Sequence, residues 1–106
     1  MNNDKKILNE IKNAIHLVTP DGKLFLYGSR VTGKIHEESD WDILILTQKK
    51  YSKETKWKLQ HELFNLNLKY NTYIDFTLAE ENEWNNNPAY YSLKLNLTQN
   101  NSIKAI

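Results

Sequence analysis

Leu24-Phe25-Leu26-Tyr27 halts at Gly28-Ser29, and after ten further residues Asp40-Trp41-Asp42 opens a second apolar run, Ile43-Leu44-Ile45-Leu46. This stretch decides the fold, because short apolar runs bounded by glycine, serine and aspartate read as strands. Side chains alternate across a strand, so Asp40 and Asp42 share a face, roughly 6–7 Å apart along the chain. A third acid, Asp75, lies inside an alternating run from Tyr73 to Ala79. Carboxylates held this close repel one another, and they stay ionised most easily with a cation between them. The pattern predicts a magnesium site for phosphoryl chemistry, built on neighbouring strands, and makes an enzyme the first hypothesis.

The flanking segments supply the rest of a layered domain. Residues 4–18 place Ile7, Leu8, Ile11, Ala14, Ile15 and Val18 at helical spacing, with Asn3 or Asp4 as a cap. Thr19-Pro20-Asp21-Gly22 is a turn, and residues 23–28 a short strand. After Ser29 a short helical turn and then a polar loop through Gly33 are expected. Residues 41–47 are apolar on both faces beyond Asp42, as a central, doubly covered strand requires. Ser52 caps a helix running to about Tyr70, with Leu59, Leu63, Phe64, Leu66 and Tyr70 along one side. In residues 72–79, Ile74, Phe76 and Leu78 face one way, and Tyr73, Asp75 and Thr77 the other. A short helix follows from Glu80 to about Asn86. Pro88 then enters the first turn of a last helix, about residues 89–98. The tail from Asn100 to Ile106 reads as neither helix nor strand with any force. The expected class is α/β (α+β): a small mixed β-sheet flanked by helices, as a single domain over residues 1–106.

Composition narrows the function. The net charge of +1 over 106 residues gives no basic field for holding long nucleic acid by phosphate neutralisation. With no cysteine there are no disulfides and no thiolate metal sites. The N-terminal Met1-Asn2-Asn3-Asp4-Lys5-Lys6 lacks the apolar core of a signal peptide, and no run approaches the roughly 20 apolar residues of a membrane span. A soluble, cytoplasmic protein without membrane contact is expected.

The acids suit nucleotidyl transfer. That reaction aligns a nucleophile with the α-phosphorus and needs positive charge on the phosphate oxygens; two Mg²⁺ ions about 3.5–4 Å apart do both. Magnesium takes oxygen ligands and keeps several waters, so a few carboxylates and the substrate's phosphates suffice. Asp40 and Asp42 are the expected shared ligands. Asp75 completes the site and can accept the attacking hydroxyl's proton. Gly28 lets a phosphate approach the backbone, while the following N–H groups and the Ser29 hydroxyl can bind it. Arg30 and Lys34 are cations in the same loop, able to help hold departing pyrophosphate.

In these residues the chain resembles the DNA polymerase beta-like nucleotidyltransferase superfamily. Its short length, Gly28-Ser29-Arg30, Gly33 and Ser39-Asp40 look like the minimal nucleotidyltransferase (MNT) branch. The resemblance spans about residues 5–85, with its specificity concentrated in 26–46. It implies metal ligation by Asp40, Asp42 and Asp75 and triphosphate binding by Gly28 and Ser29. It also implies two Mg²⁺ ions with ATP as substrate, and a role as antitoxin to a small helical HEPN toxin, through AMP transfer to a toxin tyrosine. Nucleic acid enters only as an acceptor or through the toxin. Many relatives carry Ala-Arg where this chain has Val31-Thr32, so one phosphate contact would be missing. With nothing left over for a second domain, another chain, a further copy or the toxin, is expected to complete the cleft.

Several residues carry competing readings. Arg30 can equally pair with Glu37 or Glu38, Lys34 fits a solvated position, and Ser39 a backbone bond in its turn. His16, His36 and His61 share no ligand spacing. Trp41, opposite the acids, reads as core, and Trp57 and Trp84 as core or half-buried by default. Tyr90-Tyr91 suits either packing or a partner interface. The rival function is a non-catalytic antitoxin that neutralises its partner by complex formation; adenylylation of a small molecule is a third.

Overall fold

Helical periodicity in the first segment is realised as α1, Asp4–Val18, with Ile7, Ile11 and Ile15 buried. A computed structural model of the chain describes residues 4–32, 40–99 and 103–106. The Thr19–Gly22 turn closes with Gly22 N–H donating to Thr19 O at 3.0 Å, and Thr19 Oγ1 donates back to Ile15 O at 3.0 Å. The chain continues as β1 (Lys23–Tyr27), the short α2 (Ser29–Thr32), β2 (Trp41–Thr47), α3 (Lys53–Tyr70) and β3 (Ile74–Glu80). Then come α4 (Glu81–Asn86), a 3-10 turn over Pro88–Tyr90, α5 (Tyr91–Gln99) and β4 (Ile103–Ala105). Ser52 caps α3 by accepting from Thr55 N–H, and Asn71 ends it in the left-handed region at φ 50°. Asn87 accepts from Ala89 N–H and starts the turn in which Pro88 sits.

The described strands form one mixed sheet in the order β3-β2-β1-β4. β2 and β3 are parallel, joined by the crossover through α3, while β1 is antiparallel to both β2 and β4. Each face of the sheet has its own core. On one face α1 and α3 cover Leu24, Leu26, Trp41, Ile43, Ile45 and Ile74. On the other, Trp84 and Leu97 cover Leu44, Leu46 and Ala79, joined by Phe25, Tyr27, Tyr90 and Ile103. β2 therefore contributes to both cores, which explains its nearly unbroken apolar sequence.

The expected mixed sheet with flanking helices is what forms. The differences lie at the margins. Residues 103–105 make an edge strand in a tail that carried no clear signal. Trp84 is buried as expected, but Trp57 is 64% exposed and stacks on His61 instead of joining the core. Phe64 also lies on the outer side of α3, at 56% exposure, away from Leu59 and Leu63. Apolar residues surround much of α3, so spacing alone does not mark its inner side. Gly33, Lys34, His36, Glu37, Glu38 and Ser39 lie outside the described residues. Among the described residues no helix is long and apolar enough to cross a membrane.

Candidate active site

Strand register brings the sequence-distant acids together. Tyr27 stands opposite Asp42 across β1–β2, and Asp42 stands opposite Asp75 across β2–β3. Opposed residues of paired strands project from the same face. Asp40 is two residues before Asp42, just ahead of β2, so all three acids belong to the face that also carries Leu44 and Ala79. α4 and α5 cover that face over Leu44, Leu46 and Ala79, while the acids occupy its other end. Trp41 N–H donates to Tyr73 O at 2.9 Å and pins the strand starts that carry the acids.

Asp42 is the centre of the group. It is half-buried, whereas Asp40 and Asp75 are exposed. Burial pushes its carboxyl above the usual range, and the neighbouring charges of Asp40 and Asp75 push it further. The same field reaches Tyr27. Burial raises its phenol, a bond with the Thr77 side chain opposes the rise, and Asp42 and Asp75 add to it. Tyr27 and Thr77 thus line the acidic end of the sheet, a placement the sequence did not disclose because it depends on the pairing of three strands.

Gly28 ends β1 at φ +83°. A Cβ on Gly28 would lie 2.7 Å from Asp42 Oδ2, so the Asp42 carboxylate occupies the space a side chain would need. The glycine is required twice, by its dihedral and by its neighbour. Ser29 opens α2 directly after it, and Val31 N–H closes the turn on Gly28 O at 3.0 Å.

Arg30, expected near phosphate, is engaged by other parts of the fold. Its side chain is only 7% exposed. Nη1 donates to Asp4 Oδ2 at 3.0 Å, Nε donates to the Asp40 carbonyl at 3.2 Å, and the guanidinium lies 3.8 Å from the Trp41 ring centroid. Arg30 thus ties α1 to the strand start that carries the acids. Sequence spacing placed it near phosphate; the opposing Asp4, on another element, carried no local signal.

The donor set suits magnesium, with one qualification of geometry. Among the described residues no three carboxylate or imidazole side chains close into a ready-made cage. Asp75 Oδ1 instead accepts from Phe76 N–H at 3.0 Å. An open group of hard oxygen donors matches an ion that takes its remaining ligands from water and substrate phosphates. The like-charge crowding on Asp42 is what a cation would relieve.

The family model described as polymerase beta, nucleotidyltransferase matches residues 5–92, which include Gly28, Ser29 and all three acids. The chain belongs to the polymerase beta nucleotidyltransferase family. It is a nucleotidyltransferase domain. Among curated proteins none matches. Solved structures share the fold at low identity. The spectinomycin adenyltransferase AAD(9) from Enterococcus faecialis, crystallised with ATP and spectinomycin, matches at TM-score 0.66 and 20% identity over 76% of this chain and 35% of its own. A toxin-antitoxin with AMP-PNP matches at TM-score 0.63 and 19% identity over 92% of this chain and 69% of its own. The complex of a tri-AMPylated Shewanella oneidensis HEPN toxin with an MNT antitoxin matches at 0.60 and 17% identity, over 95% and 69%. The chain thus spans about a third of the antibiotic-modifying enzyme's length.

Proposed function

We propose that this domain transfers AMP from ATP onto a protein hydroxyl, a tyrosine of a helical HEPN toxin partner, and so acts as an antitoxin of the MNT type. The observation that carries the reading is Asp42, held against Gly28 and set in register with Asp75, where its charge is disfavoured without a cation. Asp40 and Asp42 would hold two Mg²⁺ ions together, with Asp75 completing the site beside the acceptor. When bound, the ions neutralise the phosphate oxygens and lower the pKa of the attacking hydroxyl. The acceptor oxygen forms a bond to the α-phosphorus as the bond to pyrophosphate breaks. The pyrophosphate takes the electron pair, and Asp75 accepts the hydroxyl proton. Gly28 gives the triphosphate a close approach to the backbone, with Ser29 next to it.

Three lines support the reading: the family of the domain, the shared fold of structures crystallised with ATP or AMP-PNP, and the extent of the fold likeness to toxin-antitoxin chains. The partner is expected to complete the cleft over the acidic end. Incubation with labelled ATP, Mg²⁺ and a co-purified toxin should label a toxin tyrosine, and Asp40→Asn with Asp42→Asn should abolish it. If that double variant still neutralises the toxin fully in cells, blocking by complex formation is the activity and transfer is not. Failure of calorimetry to show Mg²⁺-dependent binding of a non-hydrolysable ATP analogue would remove the nucleotide from the proposal.

A further inference from the structure

α3 is apolar on two opposite sides. Its inner side buries Leu59 and Leu63 against α1 and the sheet. Its outer side carries Trp57, His61, Phe64 and Leu68, with Trp57 64%, Phe64 56% and Leu68 68% exposed. At 100° per residue the 4-3-4 spacing of these positions makes one continuous seam, about 16 Å long. Trp57 and His61 already stack, with ring centroids 5.5 Å apart. Leu17, 80% exposed at the end of α1, shares a surface depression with Trp57 and His61 and broadens the seam. A surface helix ordinarily turns charge outward; an apolar outer face is the mark of a helix that is covered.

We infer that this face is where a second copy of the chain docks, α3 against α3 in antiparallel fashion. Three features favour a second copy. The 4-3-4 spacing reads the same in both directions, as a two-fold axis requires, and it sets Trp57 against the partner's Leu68 and His61 against Phe64. The residues flanking the middle of the seam, Gln60 and Asn65, are uncharged, and the chain's net charge is only +1, so two copies meet with little repulsion. The area is also sufficient. With about 150–250 Å² per aromatic side chain and somewhat less per leucine, the open fractions leave roughly 500 Å² per copy. Two copies then bury about 1,000 Å², the lower bound of a specific interface. α3 packs on the sheet face opposite the acids, so this contact leaves the acidic end open for nucleotide and acceptor. It is independent of the proposed chemistry.

Sedimentation of the purified chain over about 1–100 μM should show a monomer–dimer equilibrium, and Phe64→Lys should weaken the dimer by about 100-fold or more. Because Phe64 lies outside both cores, the variant should keep the parent's far-UV spectrum, and its Tm should match that of the parent diluted to where it is monomeric. The chain has no cysteine, so orientation is readable by cross-linking. A mixture of Trp57→Cys and Leu68→Cys chains should form a disulfide-linked pair, while either alone should not. A parent chain that stays monomeric throughout, a dimer untouched by Phe64→Lys, or cross-linking of Trp57→Cys with itself would each overturn the assignment. So would a face that is covered only by a different protein.

Discussion

Replacing Gly28 by alanine tests the geometry at the heart of the site. Gly28 has φ +83°, and its added Cβ would lie 2.7 Å from Asp42 Oδ2. The left-handed backbone costs a non-glycine residue about 1–2 kcal/mol. The close contact can be relieved only by turning Asp42 away from its preferred angle, at about 0.5–1.5 kcal/mol. The restricted unfolded chain gives back about 0.4–1 kcal/mol. A net loss of about 0.5–3 kcal/mol follows, and each kcal/mol lowers Tm by about 4–8 °C in a domain near this size. Transfer activity should fall by about 100-fold, the usual consequence of displacing a reacting group by 1 Å. Thermal melts in two backgrounds separate the contributions. In Asp42→Ala the contact disappears, so Gly28→Ala should cost only the backbone part, with a coupling of about 0.5–1.5 kcal/mol between the sites. Equal losses in both backgrounds would refute the placement of the carboxylate over the glycine, and a Gly28→Ala protein with parental Tm and activity would refute the whole account.

Asp42→Asn should stabilise the metal-free protein by about 0.5–2 kcal/mol while reducing transfer by at least about 100-fold, as urea titration and labelled ATP would show. Because burial and the charges of Asp40 and Asp75 raise Asp42 above its ordinary 3.8, the folded state holds this proton more tightly than the unfolded one. Stability should therefore fall as pH rises from about 3.8 through the raised value, and this loss should vanish in Asp42→Asn and shrink in Mg²⁺. Arg30→Lys and Asp4→Asn should each cost about 1–3 kcal/mol and be non-additive, since they break one half-buried pair. If Arg30 acts by holding the start of β2, both lower kcat and leave KM for ATP unchanged; a raised KM in Arg30→Lys alone would mark a phosphate contact instead. Tyr51 donates to Asp21, and burial together with that bond pushes its phenol up to about 12. The neutral form is favoured in the fold, so its contribution is present below the ordinary value of 10.0 and is lost as pH climbs toward 12, a loss absent from urea titrations of Tyr51→Phe.

The central strand could be read from sequence because its two faces are both apolar, and period-two alternation then placed Asp40 and Asp42 together without knowledge of their neighbours. Asp75 followed from the flanking Ile74 and Phe76 in the same way. Pairing partners were not legible. That Tyr27 meets Asp42, and that Ile103 meets Tyr27 at the sheet edge, depends on register between strands far apart in the chain. A run of three residues, Ile103-Lys104-Ala105, is too short for β4 to announce itself. Arg30 was read by its closeness in sequence to Gly28, while among the described residues it meets Asp4 and the Trp41 ring, which only packing brings near. Trp57 and Phe64 show the opposite limit: residues of core type on a helix whose outer side is also apolar.

The division of labour along β2 bears on how such domains change over generations. The side chains that hold the strand in place are its isoleucines and leucines, whereas Asp42 at the rim is held against its own preference. If Asp42 serves transfer as proposed, a lineage that traded this acid for a neutral residue would forfeit the reaction while firming its scaffold, and any surface used for complex formation would survive intact. On the proposed function, catalytically silent descendants are thus an energetically downhill outcome for this architecture, and an active copy must be kept so by selection acting on the reaction itself.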